Sequence, residues 1–131
     1  MDIPKELKYS KSHEYFKISG SNSAIIGITA YAAGELGDVV FIEMPEVGKT
    51  YKEGEKFGVI ESVKSVSDLY IPVSAKILDI NKDLSDHPEY VNQDPYGKGW
   101  MIKVEVVGDA NSSKELISAD EYSKFVLAQV H

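Results

Sequence analysis

Two apolar runs, residues 57–63 and 66–73, stand on either side of one lysine, Lys64. No other feature narrows the fold as much. Both runs have strand length and a surplus of β-branched and aromatic residues, so they are expected to pair as a hairpin with Lys64 at its tip. The rest of the first hundred residues follows the same pattern. Residues 14–18 alternate weakly, residues 23–28 form a compact apolar run, and Val39-Val40-Phe41-Ile42 is followed by Pro45. Residues 75–80 alternate, with Ile77 and Ile80 apolar. In residues 100–107, Trp100, Ile102, Val104 and Val106 fall on one face, and Lys103 and Glu105 on the other. That period of two marks a half-buried strand. Short strands about ten residues apart, punctuated by glycine and proline, predict a sandwich or barrel.

Helical signals are fewer. Residues 29–36 are expected to form a short helix, with Thr29 as its N-cap and Gly37 just past its end. The capping-box pattern S-x-x-E occurs at Ser112–Glu115 and again at Ser118–Glu121. After the second, Tyr122, Phe125, Val126 and Val130 make an amphipathic stripe that should dock on the sheet. Residues 83–99 carry Pro88, Pro95, Gly97 and Gly99 and are expected to be a surface excursion. Gly27, Gly48 and Gly58 suit turns or close packing, and Trp100 suits the core. The chain of 131 residues is read as a single domain, with a core over about 7–107 and a C-terminal helical segment over about 112–130.

Composition removes several functions. There is no cysteine, which excludes catalysis by a protein thiolate, disulfide frameworks and Fe–S ligation. The 14 basic residues are all lysine and face 21 acidic ones, for a net charge of -7. Nucleic-acid binders are usually basic and use arginine on phosphates and base edges, so that class is set aside. The charge also disfavours an anionic membrane surface, and no apolar run approaches the ~18 residues that span a bilayer. The N-terminus lacks a signal peptide's basic and apolar regions. A bacterial cytoplasmic location is expected, or the mitochondrial matrix if a transit peptide has been removed. His13, His87 and His131 show no metal-ligand spacing, and no metal site is expected. No nucleophile elbow or phosphate loop is present, so no stand-alone enzyme is expected. A lysine at a hairpin tip has two readings. It is a solvated charge that protects the turn, or an amine presented for another enzyme to acylate.

Glu61-Ser62-Val63-Lys64, Ser67-Asp68 and Ile71-Pro72-Val73-Ser74 resemble the lipoyl-attachment segment of the glycine cleavage H-protein family. The resemblance extends to other stretches in the same order. Ser12-His13-Glu14 resembles an S-H-E-W motif. Gly27-Ile28-Thr29, Leu36-Gly37-Asp38-Val39-Val40-Phe41, Glu43 and Pro45-Glu46-Val47-Gly48 follow, then Val91-Asn92, Pro95-Tyr96-Gly97 and Gly99-Trp100-Met101-Ile102-Lys103. Two positions depart from the pattern. Tyr15 replaces the usual tryptophan, and Ala30 replaces a common aspartate.

The resemblance implies a mostly β, barrel-sandwich hybrid of the lipoyl/biotinyl-domain type, with short helices and a C-terminal helix. It implies lipoic acid joined by an amide to Lys64, in a carrier rather than an enzyme. The implied partners are a glycine decarboxylase (P protein), an aminomethyltransferase (T protein), a dihydrolipoyl dehydrogenase (L protein) and a lipoate-attaching enzyme. The arm would take an aminomethyl group from the first to the second and electrons to the third. Glu14, Ser12 and Asp68 match the positions that line a cleft for the loaded arm. Glu61 and Asp68 flank the hairpin and are expected to mark it for the attaching enzyme. A monomer is expected. Two other readings remain: a relay that donates lipoate to other lipoyl domains, and a non-lipoylated β-sandwich binding module with an inert Lys64.

Overall fold

The computed structural model describes residues 2–129. Val130, the last residue of the expected stripe, and His131 lie outside the described residues. Six strands form one antiparallel sheet, in the order β1 (Lys8–Tyr9), β2 (Glu14–Ile18), β3 (Ser23–Ile28), β9 (Ile102–Val106), β8 (Ala75–Ile80) and β5 (Thr50–Tyr51). A second antiparallel sheet holds β4 (Val39–Glu43), β6 (Lys56–Ser62) and β7 (Val66–Tyr70). This is the expected mostly β barrel-sandwich.

The main core lies between the sheets. Ile26, Ile77, Ile102 and Val104 of the larger sheet are fully buried, as are Ile60 and Leu69 of the smaller one, to within 2%. Strand alternation selects these residues, since successive side chains point to opposite faces. In β9, Ile102, Val104 and Val106 face inward, while Lys103 is half-buried and Glu105 is exposed. Strand β8 needs an irregularity, because Ile77 and Ile80 are three residues apart and a regular strand would put them on opposite faces. A register shift supplies it: Ile77 pairs with Val104 and Asp79 with Lys103, leaving Leu78 as the extra residue.

Helix α1 (Ala30–Leu36) starts and ends where its caps predict. The Thr29 hydroxyl accepts from the Ala32 N–H, and Gly37 takes a positive φ of 77° just past the end. Helix α4 (Ala119–Gln129) begins at a true capping box. The Glu121 N–H donates to the Ser118 hydroxyl, and the Ser118 N–H donates to the Glu121 carboxylate. Tyr122 and Val126 of α4 pack with Leu7, Tyr9 and Tyr15 in a second, smaller core outside the larger sheet.

Three expectations are corrected. The pattern at Ser112–Glu115 starts no helix. The Ser113 hydroxyl donates instead to the Pro72 carbonyl, Ile117 bridges to Tyr9, and the C-terminal helix begins at Ala119 rather than near residue 112. Residues 83–99 are not merely a surface excursion. They contain α2 (Asp83–Asp86) and α3 (Tyr90–Gln93), which bury Leu84 and Val91 in the main core. Trp100 is only half-buried; Met101 takes the core position, and β9 starts one residue later.

Candidate functional site

The β6–β7 hairpin carries Lys64 on a firmly held tip. The Ser62 N–H donates to the Ser65 carbonyl at 2.8 Å. The Ser62 hydroxyl accepts from the N–H groups of Lys64 and Ser65, at 3.3 and 3.1 Å. The Val63 N–H reaches outside the hairpin to the Asp38 carbonyl at 3.0 Å, which ties the tip to the segment after α1. That segment is itself fixed by Asn92. Its side-chain oxygen accepts from the Val39 N–H at 2.9 Å, and its amide donates to the Gly37 carbonyl at 2.8 Å. Lys64 is exposed, and its alkyl chain passes over Gly37, where a Cβ would lie 3.6 Å from the lysine Cε. Among the described residues, the Lys64 ammonium enters no ion pair.

Beside the tip, between the two sheets and α1, is a cleft of about 190 Å³. Ser12, Glu14 and Glu35 contribute polar groups to it, Ile28 and Leu69 contribute apolar surface, and Asp68 borders it with its exposed carboxylate on the outer face of the small sheet. Leu36 also lines it and directly precedes the glycine under Lys64. Glu14 dominates the chemistry. It is 1% exposed. Its Oε1 accepts from the Ser10 and Ser12 hydroxyls at 2.7 and 2.5 Å, and its Oε2 accepts from the Tyr70 N–H at 3.2 Å. Burial pushes this carboxyl up to about 7, against the pull of those hydrogen bonds. The group is therefore poised near neutral pH and can accept a proton or the hydrogen bond of an ammonium.

The structure thus brings Ser12, Glu14 and Asp68 to the lining of one cleft, while Lys64 lies over Gly37, the residue after the lining Leu36. Ser12 is exposed and acts through its bond to Glu14. The Asp68 carboxylate is engaged by the Lys56 ammonium at 3.2 Å and by the Tyr70 hydroxyl at 3.4 Å. Glu61 is not in the cleft. It lies on the outer face of the small sheet, paired in register with Phe41 on one side and Val66 on the other. Ser10, Tyr70 and His13 also belong to the site, and sequence reasoning did not find them there. Ser10 carries no motif, Tyr70 reaches Glu14 only through its backbone N–H, and His13 was visible only as part of Ser12-His13-Glu14.

The two departures are accommodated. The Tyr15 hydroxyl donates to the Pro95 carbonyl at 2.8 Å, and its ring lies against Gly27, where a Cβ would meet it at 2.8 Å. At Ala30, the free N–H of the first helical turn donates to the Tyr96 hydroxyl at 3.0 Å, so no local carboxylate is needed. No helix among the described residues is long and apolar enough to cross a membrane.

An exposed amine on a rigid turn, next to a cleft of apolar surface with a buried carboxylate, fits a lysine-linked acyl arm of mixed apolar and cationic character. The family model described as glycine cleavage H-protein matches residues 7–129. The glycine cleavage system H protein of Staphylococcus saprophyticus is 55% identical over 96% of this chain and 98% of its own length. That of Staphylococcus haemolyticus is 53% identical over the same shares. The crystal structure of a glycine cleavage system H protein from Mycobacterium marinum superposes with a TM-score of 0.85 at 38% identity, covering 93% of this chain and 97% of that one. The chain belongs to the glycine cleavage H-protein family.

Proposed function

We propose that Lys64 carries lipoate in amide linkage and that the protein is the mobile carrier of a glycine cleavage system. One observation carries this reading: the Lys64 amine, in no ion pair among the described residues, stands on a tip held by Ser62 and Asp38, with its alkyl chain over Gly37, next to the Leu36 that lines the cleft of Glu14. When bound, lipoate would supply a dithiolane that takes up a one-carbon amine and returns two electrons. The protein's own residues present, shelter and release that arm.

Presentation needs exposure and rigidity, and no activated amine, because the attaching enzyme brings the activated acid. Shelter comes from Glu14. A loaded arm ends in an ammonium, and the ionised carboxylate binds it by a charge-assisted hydrogen bond. An unloaded arm offers no such charge. Only that difference in affinity moves the arm between the docked and free states. Tethering raises the arm's effective concentration at each partner's active site without any large interface. The partners in this reading are glycine decarboxylase, aminomethyltransferase, dihydrolipoyl dehydrogenase and the lipoate-attaching enzyme. In this reading they act on a monomer, in a bacterial cytoplasm or in a mitochondrial matrix.

The outer face of the small sheet supports a docking role. Phe41 and Val66 are exposed there, flanking Glu61, with Glu43 and Asp68 exposed one register step away. An apolar centre with acidic neighbours, close to the lysine, suits a partner with a basic rim and a chain of net charge -7.

The test is mass spectrometry of the intact protein and its peptides after co-expression with a lipoate ligase and lipoate, with Lys64→Ala alongside. A single lipoyl increment on the Lys64 peptide, absent in the variant, is the expected result. No increment, under conditions that modify a control lipoyl domain, would return the protein to an inert binding module.

A further inference from the structure

We propose that the C-terminal helix holds the arm cleft in shape through the hydrogen bond between Tyr122 and His13, which makes His13 the positioning residue for the Glu14 carboxylate. The proposal deepens the carrier reading, and its functional weight rests on that reading. Its geometry stands apart from lipoate.

His13 separates the two cleft residues Ser12 and Glu14 and has a φ of +75°. Left-handed backbone is uncommon for a non-glycine residue, although His adopts it more readily than most, and it is held where the surroundings favour it. Here they do. The His13 N–H donates to the Ser10 carbonyl, and the His13 carbonyl accepts from the Thr29 N–H, both at 3.0 Å. The resulting tight turn curls Ser10 and Ser12 back so that both hydroxyls meet Glu14 Oε1. Straightening residue 13 would remove them together.

The imidazole locks this turn. Its Nδ1 lies 2.8 Å from the Tyr122 hydroxyl, which lies 2.7 Å from the Thr29 hydroxyl. Thr29 is fully buried, and its oxygen already accepts from the Ala32 N–H. Its proton is satisfied by donation to Tyr122. Tyr122 then donates to Nδ1, and the chain of bonds selects the neutral imidazole with its proton on Nε2. Burial also holds His13 below its ordinary pKa. The Tyr122 ring is in turn stacked on Tyr9, with centroids 4.7 Å apart, so α4 and β1 together fix the hydroxyl. The path runs from α4 through Tyr122 and His13 to the turn, and from the turn to Glu14.

The far end of this path has its own reporter. The Tyr70 N–H donates to Glu14 Oε2, so its hydrogen exchange reads whether the carboxylate is held. The experiment uses the full, unlipoylated chain. Tyr122→Phe deletes one hydroxyl and keeps the ring. It is expected to speed Tyr70 exchange by about three- to tenfold, the range for one neutral hydrogen bond, while amides between β3 and β9 keep their rates. His13→Asn, which tolerates left-handed backbone, is the second variant and should do the same. Unchanged Tyr70 exchange in either folded variant overturns the proposal, as does a uniform rise at every amide.

The lifetime of the loaded arm then separates this inference from the carrier reading. Both Tyr122→Phe and Glu14→Gln should shorten it, and the double variant should add little beyond Glu14→Gln. A shorter lifetime in Glu14→Gln with unchanged Tyr70 exchange in Tyr122→Phe refutes the positioning role alone. Faster Tyr70 exchange in Tyr122→Phe with unchanged lifetimes in both variants supports the positioning role and refutes the arm cleft.

Discussion

The Glu14 carboxylate accepts a hydrogen bond from the backbone N–H of Tyr70 at 3.2 Å, across 56 residues of chain. Glu14 belongs to the six-stranded sheet and Tyr70 to the three-stranded one, so the contact joins the two sheets at the cleft. A buried charge is stabilised only by such partners, and burial still outweighs them here. The result is a carboxyl at about 7, which is divided between its two protonation states in a cell.

A first prediction concerns the load. Glu14→Gln keeps the side-chain shape and can still accept from Tyr70, but it cannot carry charge. Lipoylation of Lys64 should be unchanged, while loss of the aminomethyl group becomes faster. In the parent, the loaded lifetime should lengthen as pH rises from 6 to 8 and Glu14 ionises. In the variant that dependence should be flat. Lifetimes followed by mass spectrometry at several pH values decide it, and parallel curves would remove Glu14 from the role.

The same group affects stability with the opposite sign. Its folded pKa of about 7 is raised above the ordinary 4.5, so the folded state holds the proton more tightly. The stabilisation is therefore fully present below pH 4.5 and is lost as pH rises through 7. Its size is at most about 3 kcal/mol. Urea unfolding at pH 5 and pH 8 should show the parent losing more stability than Glu14→Gln over that interval. His13 works the other way, since its lowered pKa costs stability as pH falls, but it is present in both proteins and cancels in their difference.

Gly37 gives a backbone test. Its φ of 77° and ψ of -160° lie in a region that only glycine occupies readily. Gly37→Ala should cost about 1–3 kcal/mol in thermal or urea unfolding. The added methyl would meet Lys64 Cε at 3.6 Å, an ordinary contact, so lipoate attachment to the folded variant should persist. Loss of attachment without loss of stability would contradict this account of the tip.

Glu61 and Asp68 should separate in attachment kinetics. Asp68 shares its charge with Lys56 in an exposed pair, which contributes ~0–1 kcal/mol to stability. Glu61 enters no such pair among the described residues and lies between Phe41 and Val66. Glu61→Gln should lower kcat/KM for the attaching enzyme several-fold, and more than Asp68→Asn does. The defect should shrink at high salt, as steering by charge does. Equal, salt-independent rates in all three proteins would rule out recognition by charge.

The sequence by itself determined the elements whose causes are local. Alternation placed the strands, Thr29 and Gly37 bounded α1, and Ser118 with Glu121 started α4. It also singled out Lys64, because one lysine between two strand-like runs can only fall at their turn. Chain order alone could not separate the two capping-box patterns. The one at Ser112 yields to a bond between Ser113 and the Pro72 carbonyl, formed across 41 residues. Tertiary structure decided the chemistry of the cleft. As a strand-end carboxylate Glu14 would be solvated. It becomes a group poised near pH 7 because burial raises its pKa while the bonds from Ser10, Ser12 and the Tyr70 N–H pull it part of the way back. Dielectric and hydrogen-bond partners are properties of neighbours in space, and the partner from the second sheet, Tyr70, lies 56 residues away in the chain.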